Sequence, residues 1–278
     1  MRHRTGTAPD PAVSSDSTGP FDAGRKDDAA RMIRLDEITI PEHVFGYPGV
    51  AFGGYVAGAL AARSPGTTQR VDFRGRVPVG TPLTIARTEF DGIALTDAAG
   101  RILTETNPAT LDSDVPECPE WAEVEAATER GLKSEKRLFT HCYGCGAGCE
   151  PGKGLRLFPC TFRERGLVVS AWTPDPALAG PDGTLSAENV WAALDCPGAW
   201  AGFAYHRMAT GAVTAALTAR VLAPVEAGVA HTSFAWPRAA EGRKHTVGVA
   251  LATATGELCA VAEALWIEPR EPVSPTLV

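Results

Sequence analysis

Residues 186–206 read SAENVWAALDCPGAWAGFAYH. The stretch is almost wholly apolar or small, and one carboxylate, Asp195, stands in it among Val190, Trp191, Leu194, Trp200 and Phe203. An ionised side chain in such company is costly unless hydrogen bonds or an opposite charge compensate it. Pro197 follows two positions on and cannot continue a helix without disturbing it. Asp195 is therefore either the cap of a helical segment at a kink or a working carboxylate that partial desolvation makes a stronger base.

Working outward, the elements around this helix occur twice. In the first block a strand-like RMIRLDEITI leads through PEHVFGYPG to a small-residue helix, FGGYVAGALAA, and then to VDFRGRVPVG, LTIARTEF and the pair IALTDAAGRILTET. In the second, GLRLFPCTF and GLVVSAWTP lead to the helix around Asp195, then TAALTARVLAPVEAG, HTSFAWP and HTVGVALATATGELCAVAEALWI. VPVG answers APVEAG, and DAAGRILTE answers TATGELCAVAE, which marks a duplicated fold. The strands are short, alternating, rich in Val, Thr and Leu and joined by Gly-containing turns, which predicts antiparallel sheets. One central helix per sheet makes the class α+β. The blocks are expected at residues 31–128 and 138–270, separated by LDSDVPECPEWAEVEAATERG with a short connecting helix over 120–130. Residues 1–30 and 271–278 lack hydrophobic periodicity and are expected to be tails.

Composition narrows the partners. Acidic residues outnumber basic ones 33 to 26, for a formal net charge of −7, and no Lys/Arg stripe could track phosphates, which argues against nucleic acid. The longest apolar run, residues 50–62, is too short to span a bilayer, and MRHRTGTAPDPAV has no hydrophobic core for a signal peptide. A protein of the cytoplasm, with no membrane partner, is expected. Seven cysteines, an odd number at low density, suit a reducing compartment better than a disulfide framework.

Three stretches together resemble the double (tandem) hotdog proteins, and most closely the branch of phenylacetyl-CoA thioesterase-like enzymes: CYGCGAGCEPGKGLRL before a first strand, LSAENVWAALD at a helix start, and FGGYVAGALA at the corresponding start in block one. The likeness covers roughly residues 33–268 and implies two units, each an antiparallel sheet wrapped around a central helix, paired as a pseudo-dimer. The family's His-Gly-Gly helix start falls on Phe52, Gly53 and Gly54 in block one and on Ser186, Ala187 and Glu188 in block two. Its acid position falls on Ala61 and on Asp195. Block one thus keeps the glycines without the acid, and block two the acid without the glycines. The resemblance implies one composite site, with amides of Gly53 and Gly54 facing Asp195, that hydrolyses an acyl-CoA or an acyl-carrier-protein thioester without a cofactor. Trp191, Tyr55 and Asn189 are the candidates for contacting substrate, and a homodimer of fused pairs is plausible.

The chemistry is coherent. Thioester hydrolysis develops negative charge on the carbonyl oxygen, which helix-start amides stabilise, while a carboxylate attacks the carbonyl or takes a proton from water. Two other functions fit the same residues: a dehydratase or hydratase pairing His43 with Asp195, and a catalytically silent protein that binds acyl thioesters. The cluster HCYGCGAGC, with Cys142, Cys145 and Cys149, and Cys160 further on, is half of a zinc motif. The resemblance points instead to a tight turn there, and no metal is expected. Cys196, beside Asp195, is expected to be a buried small thiol. Arg220, Arg238, Arg243 and Lys244 are solvated charges that could meet coenzyme A phosphates.

Overall fold

The computed structural model describes residues 32–271, apart from 90, 113 and 135–138, so the tails expected at 1–30 and, but for residue 271, at 271–278 lie outside the described residues. The first half supplies β1 (Ile33–Thr39), α1 (Gly53–Ala61), β2 (Thr68–Phe73), β3 (Pro82–Arg87), β4 (Ile93–Thr96) and β5 (Ile102–Pro108). After α2 (Trp121–Ser134), the second supplies β6 (Cys160–Phe162), β7 (Leu167–Trp172), α3 (Ala187–Ala193), α4 (Cys196–His206), β8 (Val213–Val221), β9 (His231–Glu241), β10 (Lys244–Thr253) and β11 (Leu258–Ile267). The strands form one antiparallel sheet in the order β1-β3-β4-β5-β2-β8-β11-β10-β9-β7-β6. Its halves meet where β2 pairs with β8, Thr68 opposite Arg220 through Asp72 opposite Ala216. Each half wraps helices of its own, the α+β double-hotdog arrangement expected of the sequence.

Helix α1 has no polar face: Val56, Ala57, Ala59 and Leu60 are fully buried, so it belongs to the interior. It packs against α3, and glycines set the distance. A Cβ on Gly58 would lie 2.5 Å from Ala187 O and from Glu188 Cα; one on Gly54 would lie 2.7 Å from Ala192 Cα and Trp191 O. The start of α1 therefore meets the end of α3. Residues of both helices, α4 and the inner faces of both half-sheets share one core.

One feature follows the sequence reading and one departs from it. The helix around Asp195 is two segments, because α3 ends at Ala193 and α4 starts at Cys196 with Pro197 in its first turn. The connecting helix runs over Trp121–Ser134 and covers the outer face of the second half-sheet. There Val124 and Ala127 pack with Phe162, Leu167, Val169, Phe234, Trp236 and Ala250. With a helix on each face, β9 and β10 are buried over six consecutive residues instead of alternating.

Candidate active site

Asp195 occupies the break between α3 and α4. It precedes α4 with φ −92° and ψ −69°, yet its side chain caps nothing in that helix. The carboxylate crosses to the other half: Gly54 N–H donates to Oδ2 at 2.7 Å, and Thr214 Oγ1, on β8, donates to Oδ1 at 2.8 Å. Phe52, which precedes α1, offers no side-chain cap. Asp195 thus supplies from the second half an acceptor that the first turn of α1 needs, at the end of the helix dipole that favours negative charge. The residue does not cap its own helix, as one expectation had it; it is a buried carboxylate that accepts from the start of the other unit's helix.

Asp195 is 1% exposed. Burial pushes its pKa up to about 6, against the lowering pull of the hydrogen bonds from Thr214 and Gly54. An ordinary aspartate would be a weak base; this one is tuned close to neutrality.

The glycine pair divides its labour. Gly54 N–H is engaged by Asp195, so it is not available to a substrate oxygen. Gly53, half-buried at the first position of α1, has an N–H that donates to no group among the described residues. Its missing Cβ lets this wall come close: a Cβ there would lie 3.2 Å from Asp195 Oδ2, 3.5 Å from Thr214 Oγ1 and 3.5 Å from Phe73 Cζ. Gly53 thus stands against a carboxylate, a hydroxyl and an aromatic edge at a helix start. In the mirror position Ala61 has no carboxylate to offer the start of α3, where Ser186 Oγ already accepts from Asn189 N–H.

The remaining candidates fall as follows. Trp191 is buried in the shared core. Asn189 Oδ1 accepts from Tyr143 Oη at 2.6 Å, and its amide nitrogen donates to Leu178 O at 3.3 Å, so its polar atoms brace the fold. Tyr55 is half-buried, edge-on to Tyr143 at 5.8 Å. His43 is exposed, its ring 6.2 Å from that of Tyr143, and it is not among the partners of Asp195, whose hydrogen bonds go to Gly54 and Thr214. Arg243 donates to Glu268 O and Arg238 pairs with Glu263, while Arg220 and Lys244 are exposed on β8 and β10. Of the cysteines expected together, Cys149 lies against the carbonyls of His141 and Cys142, and Cys160 against that of Phe158. Cys142 and Cys145 are joined instead by Cys196. Thr214 is the residue that sequence reasoning missed, because at the head of a β-strand a threonine is simply a good strand former.

No family model matches this sequence, and no curated protein matches it either. Solved structures do match in fold. An acyl-CoA thioesterase II, TesB2, from Mycobacterium marinum is similar at 12% identity, with 88% of this chain and 98% of that chain covered and a TM-score of 0.55. A conserved protein of unknown function with a hot dog fold from Alicyclobacillus acidocaldarius is similar at 12% identity over 89% of this chain and 98% of that one, TM-score 0.52. The tesB protein of Mycobacterium avium subspecies paratuberculosis is similar at 12% identity over 81% and 91%, TM-score 0.52. The fold of this chain is the double hotdog fold that these proteins share.

Proposed function

We propose that this chain is a thioesterase-like hydrolase that cleaves an acyl-CoA or acyl-carrier thioester at one composite site, Asp195 of the second hotdog unit acting as general base beside Gly53 of the first. The observation that carries the reading is the approach of a buried carboxylate and a hydroxyl of the second unit to the start of α1, where a Cβ on Gly53 would lie 3.2 Å from Asp195 Oδ2 and 3.5 Å from Thr214 Oγ1. A carboxylate has about four acceptor positions, and two donors engage this one, so it can still accept a proton from a water that reaches it. The water oxygen then adds to the thioester carbonyl carbon. The carbonyl oxygen takes up the negative charge, stabilised by Gly53 N–H and the α1 dipole. Collapse breaks the C–S bond, and the departing thiolate takes the proton back from Asp195. Thr214 orients the carboxylate and limits the rise of its pKa.

The name of the Mycobacterium marinum neighbour, an acyl-CoA thioesterase II, supports a thioester as the substrate class. Among the described residues no helix is long and apolar enough to cross a membrane. The test is release of free thiol from a panel of acyl-CoAs, comparing wild type with Asp195→Asn. Hydrolysis lost in the variant is the expected result. Binding without thiol release makes the chain a thioester-binding protein, and water addition or elimination without thiol release makes it a hydratase or dehydratase.

A further inference from the structure

Cys142, Cys145 and Cys196 form a cluster that the proposed hydrolysis does not use. All three are buried, and their sulfurs lie within 4.8 Å of one another. Cys142 Sγ and Cys196 Sγ are 3.5 Å apart, and Cys145 is in hydrogen-bond contact with both. Thiolates around one d10 metal ion at about 2.3 Å stand at such separations from each other.

The backbone around the cluster is that of a metal knuckle. The Cys142–Cys145 segment folds back on itself, Gly146 N–H donating to Cys142 O at 2.7 Å and Gly148 N–H to Thr140 O at 2.7 Å. Within the turn, the Cys145 N–H donates to the sulfur of Cys142. Gly144 lets the third sulfur in, because a Cβ there would lie 2.7 Å from Cys196 Sγ. Cys196 comes from the first turn of α4, beyond the sequence reach of any Cys-x-x-Cys signature, so sequence alone presents only half a site.

We propose that Cys142, Cys145 and Cys196 bind one thiophilic d10 cation, zinc(II) or copper(I), which clamps the loop opening the second hotdog unit to the residue beside Asp195. Among the described residues no fourth His, Cys, Asp or Glu joins the group. Copper(I) accepts three thiolates alone, whereas zinc(II) takes a further, non-protein ligand. Binding exchanges up to three thiol protons for the ion, with no change of oxidation state. The clamp joins elements that already meet, since Cys142 Sγ lies 3.5 Å from Cys196 Sγ, and the same loop is tied to the first unit by Tyr143 N–H donating to Phe45 O at 2.8 Å.

The test uses the full chain, purified under reducing conditions and stripped with chelator. Zinc(II), cobalt(II) as its spectroscopic stand-in, and copper(I) are each titrated in, with bound metal measured by elemental analysis. The expected result is one ion per chain, a thiolate-to-cobalt charge-transfer absorption in the cobalt form, and a melting temperature that rises with metal and falls with chelator. Cys145→Ser and Cys196→Ser lose stoichiometric binding, while Cys118→Ser and Cys259→Ser keep it. Absence of stoichiometric binding or of the thiolate absorption in the wild-type chain overturns the proposal whether or not the variants fold. So does full binding by folded Cys196→Ser. A Cys142–Cys196 disulfide that forms while metal is in excess also overturns it. None of these readouts depends on hydrolysis, so the proposal stands or falls apart from the thioesterase reading.

Discussion

Gly53→Ala separates catalysis from architecture more sharply than any change at Asp195 itself. The added methyl would lie 3.2 Å from Asp195 Oδ2 and 3.5 Å from both Thr214 Oγ1 and Phe73 Cζ. Only the carboxylate has to give, by a few tenths of an ångström, and the methyl crowds the face of Asp195 that the attacking water is proposed to approach. Alanine is preferred to glycine inside a helix by roughly 0.5–1 kcal/mol, which offsets much of the crowding. Folding stability should therefore stay within about 1 kcal/mol, or about 4 °C in melting temperature for a chain of this size. Thiol release should fall by about 10²–10⁴-fold, the usual worth of a positioned base and its water, or about 3–5 kcal/mol of barrier. The assay is kcat/KM for thiol release on the best acyl-CoA of the panel, beside a thermal melt. A folded Gly53→Ala that turns over within threefold of wild type would refute the claim that the reaction takes place against Gly53.

Four further outcomes follow from the same geometry. Gly54→Ala and Gly58→Ala place a Cβ 2.5–2.8 Å from atoms of α3 and Asp195, mostly backbone that cannot yield; each should destabilise by at least about 1–3 kcal/mol in denaturant melts, and wild-type stability in either would undo the helix-contact argument. The carboxylate of Asp195 works as a base only when ionised, so kcat/KM should rise with pH along a limb centred near about 6; a profile flat from pH 5 to 8 would contradict this. The same shift has a stability cost of opposite sense. The native state holds the Asp195 proton more tightly than the unfolded chain, so that contribution is complete below about pH 4 and lost as pH rises through about 6. Two pKa units amount to about 3 kcal/mol, and Asp195→Asn should flatten this part of the stability curve, as read from urea melts at pH 4 and pH 7. Thr214→Val removes the donor to Oδ1, so the acid limb should move to higher pH and the rate drop about tenfold or more, with Thr214→Ser restoring both.

The repeat and the strand succession were legible because hydrophobic period and turn chemistry are local. The break at Pro197 was legible for the same reason, as was the oddity of Asp195 among tryptophans. The double burial of β9 and β10 was not, since it depends on α2 folding back over a face that lies more than a hundred residues away in the chain. The partition of Gly53 from Gly54 turns on one hydrogen bond between helices of different units, which no spacing encodes. Thr214 and Cys196 share that difficulty. Each is an unremarkable residue type in its own element and acquires a role only when sheet register or a helix start brings it to a distant partner.

The most direct trial of the composite centre is a crystal structure of the chain with a non-hydrolysable acyl-CoA analogue. The carbonyl oxygen should accept from Gly53 N–H at about 2.7–3.1 Å, with the carbonyl carbon facing the space between Asp195 and Thr214. A carbonyl lodged instead at the start of α3, against residues 186–188, or an analogue bound out of reach of Asp195, would contradict the account.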